Sequence, residues 1–164
     1  MEKWIPPAPN WIKINFDTAI RDTFSTQAAV CRSSDGTIIH MAYLISPPCS
    51  PNMGEALAAQ LATSIARSLS LNRFILEGDS LIVIQALNSS SSDQDWRISP
   101  VIMSSLNNIT SDSLWEARKI NRSANFCIHS VARWAAARSN SDNISISISL
   151  SSSHNGLDPS LSSS

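Results

Sequence analysis

Near Ser50 the spacing of apolar residues changes from two to between three and four, and this switch decides which class of fold is open to the chain. Before it, "WIKINFDTA" alternates, with Ile12, Ile14 and Phe16 on one face and Lys13, Asn15 and Asp17 on the other, the pattern of a half-buried strand. "TQAAVCRS" and "TIIHMAYLI" flank Asp35-Gly36, a dipeptide suited to tight hairpin turns, so two further strands pair antiparallel and the first joins them in a meander. After the switch, Leu57, Leu61, Ile65 and Leu69 mark one face of a helix. "RFILEGD" reads as a short apolar strand and "SLIVIQALN" as a short helix that ends in the polar loop "SSSSDQDW". "RISPVIMSSLNNI" is helical with Pro100 in its first turn, "LWEARKI" alternates as a strand, and "SANFCIHSVARWAAARS" is an amphipathic helix with Phe126, Val131 and Trp134 or Ala135 inward. The order β-β-β-α-β-α-α-β-α describes an α/β fold: a mixed five-stranded sheet, three antiparallel strands followed by parallel ones, with helices on both faces.

A chain of 164 residues suits one domain with a single core. Residues 1–10 are expected to lead into it, residues 11–139 to form it, and residues 140–164 to be a serine-rich disordered tail. Within that tail "ISISISL" alternates like an edge strand but has no turn partner. With 12 basic and 13 acidic residues the net charge is −1, so no overall field draws the chain to nucleic acid or to an anionic membrane, and any polyanion must be held by a local patch. Cys31, Cys49 and Cys127 are odd in number, widely spaced and without a C-x-x-C pair, which opposes a disulfide framework or a structural zinc site and fits a reducing compartment. No apolar run has signal-peptide or membrane-spanning length. The expectation is a soluble, intracellular, monomeric protein of nucleus or cytoplasm.

Three acids occupy comparable places: Asp17 at the end of the first strand, Glu55 in the first turn of the first helix and Asp79 at the end of the fourth strand. If the fourth strand lies parallel beside the first, the three converge at one sheet edge. Oxygen ligands gathered in this way suit Mg²⁺ or Mn²⁺, and two such ions about 3.5–4 Å apart can promote phosphodiester hydrolysis. Each acid also has a plainer reading. Glu55 with Asn52 approaches a capping box beside the Ser50-Pro51 N-cap pair, Asp79 can cap the helix that follows, and Asp17 can simply be solvated. Neither the cysteines nor the serine tracts have the context of a covalent nucleophile.

The set "INFDTA", "GEALAAQLA", "FILEGDS" and "RSANFCIHSVARWA", in this order and separation, resembles the ribonuclease H superfamily over roughly residues 4–139. It is most similar to plant ribonuclease-H-like domains related to non-LTR retroelement reverse transcriptases, in which a W-x-P-P segment like "WIPPAPNWIKINFD" leads into the first strand. The resemblance implies that Asp17, Glu55 and Asp79 bind two Mg²⁺ or Mn²⁺ ions that cleave the RNA strand of an RNA·DNA hybrid, leaving a 3′-hydroxyl and a 5′-phosphate. It places Asn52 where family members contact the hybrid's minor groove, a surface on which 2′-hydroxyls distinguish RNA from DNA. Ser80 and Asn125 match motif positions assigned with it to nucleic-acid binding.

The pattern is broken at one site position. The family's last motif pairs an asparagine with an aspartate four residues on, and here Asn125 is followed by His129, an imidazole where a fourth carboxylate is expected and a poorer partner for Mg²⁺ than for softer metals. His129 is carried as the fourth catalytic position, against the plainer reading of a helical histidine with no ligand role. The segment "KINRSAN" lacks the histidine that a loop before the last helix often carries in active relatives, and "NSSSSDQDWR" replaces the basic protrusion that grips hybrids in some members. Arg118, Lys119 and Arg122, with Arg133 and Arg138 on the last helix, remain as cations for a phosphate backbone. Trp115 and Trp134 are expected in the core, and Trp96 is placed to stack on a sugar or base. Two rivals to a hybrid ribonuclease follow: a catalytically weakened nucleic-acid-binding module from a domesticated retroelement, and a decayed protein-interaction scaffold.

Overall fold

A computed structural model describes residues 3–89, 95–138 and 146–149. The elements are β1 (Ile12–Ile20), β2 (Ser25–Arg32), β3 (Ile38–Ser46), α1 (Pro51–Ser68), β4 (Arg73–Gly78), α2 (Leu81–Asn88), α3 (Ser99–Asn107), β5 (Leu114–Lys119), α4 (Phe126–Arg138) and β6 (Ile146–Ser149). The sheet runs β5-β4-β1-β2-β3-β6. β1, β2 and β3 pair antiparallel in sequence order, and Gly36 supplies the positive φ of 85° that the β2–β3 turn needs. β4 returns through α1 to lie parallel beside β1, and β5 lies parallel beside β4. The five expected strands are thus present in their expected sense.

The sixth strand corrects the reading of the tail. Ile146–Ser149 pairs antiparallel with β3, from Tyr43 opposite Ile146 to His40 opposite Ser149, so a strand from within the serine-rich segment extends the antiparallel side of the sheet. The alternation had suggested this edge strand. The missing turn partner misled, because pairing across a longer connection needs no hairpin signal. The rest of the expected tail, and residues 90–94 of the loop "NSSSSDQDWR", lie outside the described residues.

Helices cover both faces of the sheet, as expected. On one face α1, α2 and α3 enclose Ile14, Phe16, Phe74 and Leu76; on the other, Ile128, Ala132, Ala135 and Ala136 of α4 pack on Ala19, Ala28, Val30 and Tyr43. The central strand β1 is consequently buried on both faces, not half-buried: Lys13, Asn15 and Asp17 are only 2–3% exposed. Two helix faces also differ from their apolar spacing. Leu57 is half-buried and Leu69 is exposed at the C-cap, while Ala58, Ala59, Ala62 and Ala66 of α1 meet the core. On α4 Ala135 turns inward, but Trp134 is 45% exposed with its ring edge-on to Tyr43, and the side chain of Phe126 lies outside the description. Periodicity weighted by bulk finds large side chains, whereas these helices approach the sheet through small ones.

Two glycines mark the closest approaches. A Cβ on Gly54 would lie 2.7 Å from Thr18 Oγ1, and one on Gly78 would lie 2.5 Å from the ring of Phe16, which is fully buried. That ring cannot swing aside in a packed core. Gly78→Ala is therefore expected to destabilise the fold by about 1–3 kcal/mol, read as a fall in the midpoint of thermal unfolding. An unchanged midpoint would show that Phe16 has room to yield.

Candidate metal centre

The register of β1 against β4 builds the site. Asn15 stands opposite Glu77, so Asp17 and Asp79, each two residues further on, emerge together at the carboxyl ends of adjacent parallel strands. This is the carboxyl end of two middle strands of the sheet. The third acid arrives from α1. Ser50 caps that helix, its Oγ accepting from the Met53 N–H at 3.3 Å, and Gly54 lets the first turn settle on Thr18 and Ile20. Asp17, Glu55 and Asp79 each offer an oxygen within 4.8 Å of the others.

The plainer readings of these acids do not survive the geometry. Ser50, not a box made by Asn52 and Glu55, caps α1. Ser80, not Asp79, caps α2, its Oγ accepting from the Val83 N–H at 3.4 Å. Asp17 is not solvated: it is 2% exposed, with Oδ1 accepting from the Thr18 N–H at 2.8 Å and Oδ2 lying 2.8 Å from Nδ1 of His129. None of the three is spent on a helix end.

Crowded burial of like charges leaves a marked imbalance. Burial, then the neighbouring Asp17 and Asp79, push the Glu55 carboxyl up from 4.5 to about 10, against which the Thr18 N–H works only weakly. Asp79 is raised too, by burial and by Asp17, and is drawn back by Arg122, His129 and Lys119. Among the described residues Glu55 Oε2 is buried without a hydrogen-bond partner, a costly arrangement unless something else satisfies it. A divalent cation would meet both needs, and an all-oxygen carboxylate set suits Mg²⁺ or Mn²⁺. The residues present therefore fit such ions.

The acids lie in a cleft of about 590 Å³ whose lining includes Asn52, Ser80, Arg122, His129 and Arg133, all of them sequence candidates, together with Arg21. Asn125 does not line it. At 2% exposure it donates from Nδ2 to the Phe16 carbonyl at 3.1 Å and accepts from Asn15 at 3.4 Å, so it ties α4 to β1 one residue before Asp17 and cannot contact a ligand directly. One helical turn on, this strut sets His129 against Asp17. Arg118 and Lys119 also lie apart from this cleft, lining a neighbouring one of about 220 Å³, and Arg118 pairs with Glu116. Trp96 is 76% exposed, with Arg97 over its ring. Trp115 is only partly buried, though packed against the larger core. The Cys31 thiol, pushed up to about 12 by burial, offers no nucleophile.

Sequence reasoning missed a buried polar network behind the acids. Lys13 Nζ pairs with Glu77 at 2.8 Å and donates to the Ile5 carbonyl at 2.5 Å; Asn15 donates to Glu77 at 3.0 Å and accepts from the Trp4 indole N–H at 3.0 Å. The available clue was that Lys13 and Asn15 share the Asp17 side of a strand flanked by other strands, where charge needs a partner.

Glu55 sets the pH dependence of stability. Its folded value lies above its unfolded one, so the fold holds a proton that the unfolded chain releases, and stability falls as pH rises from about 4.5 toward 10. Glu55→Gln removes that loss. It is expected to raise the unfolding midpoint of the metal-free protein, by a margin that widens between about pH 5 and about pH 9, and to abolish the stabilisation that Mn²⁺ gives the wild type. A variant no more stable than wild type at the higher pH would refute the raised Glu55 carboxyl.

Residues 15–135 match the family model described as reverse transcriptase-like. Among solved structures the chain is similar to the RNase H1 of the halophilic archaeon Halobacterium salinarum, with a TM-score of 0.70 at 21% identity over 77% of this chain and 98% of that one. It is also similar to the N-terminal RNase H domain of a Mycobacterium tuberculosis protein, with a TM-score of 0.68 at 16% identity over 79% and 97% of the two chains. LC11-RNase H1, isolated from compost and solved in complex with an RNA/DNA hybrid, gives 0.69 at 12% identity over 78% and 98%. No curated protein sequence matches. With a family model covering most of its length, the chain belongs to the reverse transcriptase-like family, and it shares the fold of these RNase H structures, including the sheet order on which the three acids depend.

Proposed function

We propose that this protein hydrolyses the RNA strand of RNA·DNA hybrids in a reaction that requires divalent ions. The observation that carries the reading is the convergence of Asp17, Glu55 and Asp79 within 4.8 Å, with a buried oxygen of Glu55 lacking a hydrogen-bond partner among the described residues, in a cleft that also holds three arginines. Similarity to a protein solved with an RNA/DNA hybrid supports the choice of substrate. Two Mg²⁺ or Mn²⁺ ions held by the three acids would supply an activated water and stabilisation of the leaving oxygen, which gives a 5′-phosphate and a 3′-hydroxyl.

The chain's own residues would act as follows. Arg122 and Arg133 neutralise phosphates entering the cleft, and Arg21 does so from the β1 side. Asn52 and Ser80 stand at the lining with polar groups for the 2′-hydroxyls that separate RNA from DNA. Ser80 Oγ spends an acceptor on the Val83 N–H and keeps its O–H to donate. His129 orients Asp17 through Nδ1. Because it replaces an anion with an imidazole, the site carries one negative charge fewer than the family pattern and favours manganese over magnesium.

His129 also favours a second reading, a weakened binding module that holds hybrids without cutting them. A labelled hybrid separates the two. The wild type is expected to cut its RNA strand faster with Mn²⁺ than with Mg²⁺, and Asp17→Asn to lose at least about a hundredfold in rate. His129→Asp is expected to raise the Mg²⁺-supported rate about tenfold. Hybrid retained by the wild type in EDTA, with no product under either ion, would establish the binding module instead.

A further inference from the structure

Resting on that reading, we propose that the nucleic acid does not end at the metal cleft: its phosphodiester backbone continues into the second cleft, held there by Lys3, Arg118 and Lys119. Four cations and one carboxylate line this cleft of about 220 Å³. The carboxylate, Glu77, is already neutralised by Lys13 at 2.8 Å, both of them buried in its floor. Lys3, Arg118 and Lys119 are exposed, and neither Lys3 nor Lys119 has a carboxylate partner among the described residues. In a chain of net charge −1 these cations, with Arg118 shared with Glu116, stand beside the acids that would cut a polyanion.

The outer wall of the second cleft is built before any ligand arrives. Lys3, Trp4, Ile5 and Pro6 form it. The Trp4 indole donates to Asn15 at 3.0 Å, its ring is faced by Arg32 at 4.9 Å and Lys13 at 5.3 Å, and the Ile5 carbonyl accepts from Lys13. A wall fixed in this way costs little further ordering when a strand binds against it.

Continuity between the clefts is carried by the turn after β5. Lys119 lines the second cleft and Arg122, three residues on, lines the first. Both cations act on Asp79, which sets the turn within electrostatic reach of the metal centre as well. A backbone leaving the acids along this turn meets Arg122, then Lys119, then Arg118 and Lys3.

The test compares wild type with Lys3→Gln, Lys119→Gln and the double variant, measuring anisotropy of a fluorescein-labelled RNA·DNA hybrid in EDTA across a salt series, with unfolding midpoints to verify each fold. Each substitution is expected to weaken binding about threefold to tenfold and to lower the salt slope by about one, and Lys119→Arg to restore both. Wild-type affinity and slope in the double variant would overturn the second cleft while leaving the nuclease reading intact if the wild type cuts. Binding that weakens as expected in a protein that never cuts would uphold the second cleft and sink the nuclease. A wild type that retains no hybrid at low salt would end both.

Discussion

Parallel pairing of β1 with β4 is the constraint from which the rest of the molecule follows. It brings two acids distant in sequence to the same height at the carboxyl ends of neighbouring strands, where open α/β sheets commonly place their ligands. It also dictates two small residues. Phe16 needs Gly78 beside it, and α1 needs Gly54 to descend far enough to add the third acid. The carboxylates are then crowded, buried and short of counter-charge, so the fold is least comfortable at the place where it is most organised.

The same pairing explains the polar belt behind the acids. A central strand covered on both faces has no solvent for Lys13 and Asn15, and they are satisfied instead by Glu77, Trp4, Asn125 and the Ile5 carbonyl. Buried ion pairs seldom add net stability, yet they penalise any register that separates the partners. The belt therefore holds β1 and β4 to the one alignment in which Asp17 and Asp79 coincide, and through Asn125 it fixes the start of α4 and with it His129.

Much of this was legible in the sequence. The Asp35-Gly36 turn, the change of period near Ser50 and the short apolar run "FILEGD" carry the strand order, and the strand order carries the convergence of Asp17, Glu55 and Asp79. What stayed hidden depends on tertiary neighbours. Caps could not be told from ligands until Ser50 and Ser80 were seen to accept the helix N–H groups, which released Glu55 and Asp79. The assignment of Asn125 to nucleic-acid binding fails because nothing local announces that its amide turns under β1. Helix faces built from alanine escape a scale that counts bulk, so Leu69 and Trp134 were drawn inward on paper while Ala62 and Ala132 do the packing.

The strand Ile146–Ser149 has a consequence for how the molecule meets its own copies. A bare β3 would present a row of free amides and carbonyls to any extended chain nearby, the usual template for runaway strand addition. With β6 seated on His40–Tyr43, the outer rims of the described sheet are the four-residue β6 and the six-residue β5. The β5 margin carries Glu116, Arg118 and Lys119 within six residues, charges that an incoming strand would have to strip of water. Strand addition is in this sense discouraged at both rims of the described sheet, on one side by the shortness of the edge strand and on the other by charge.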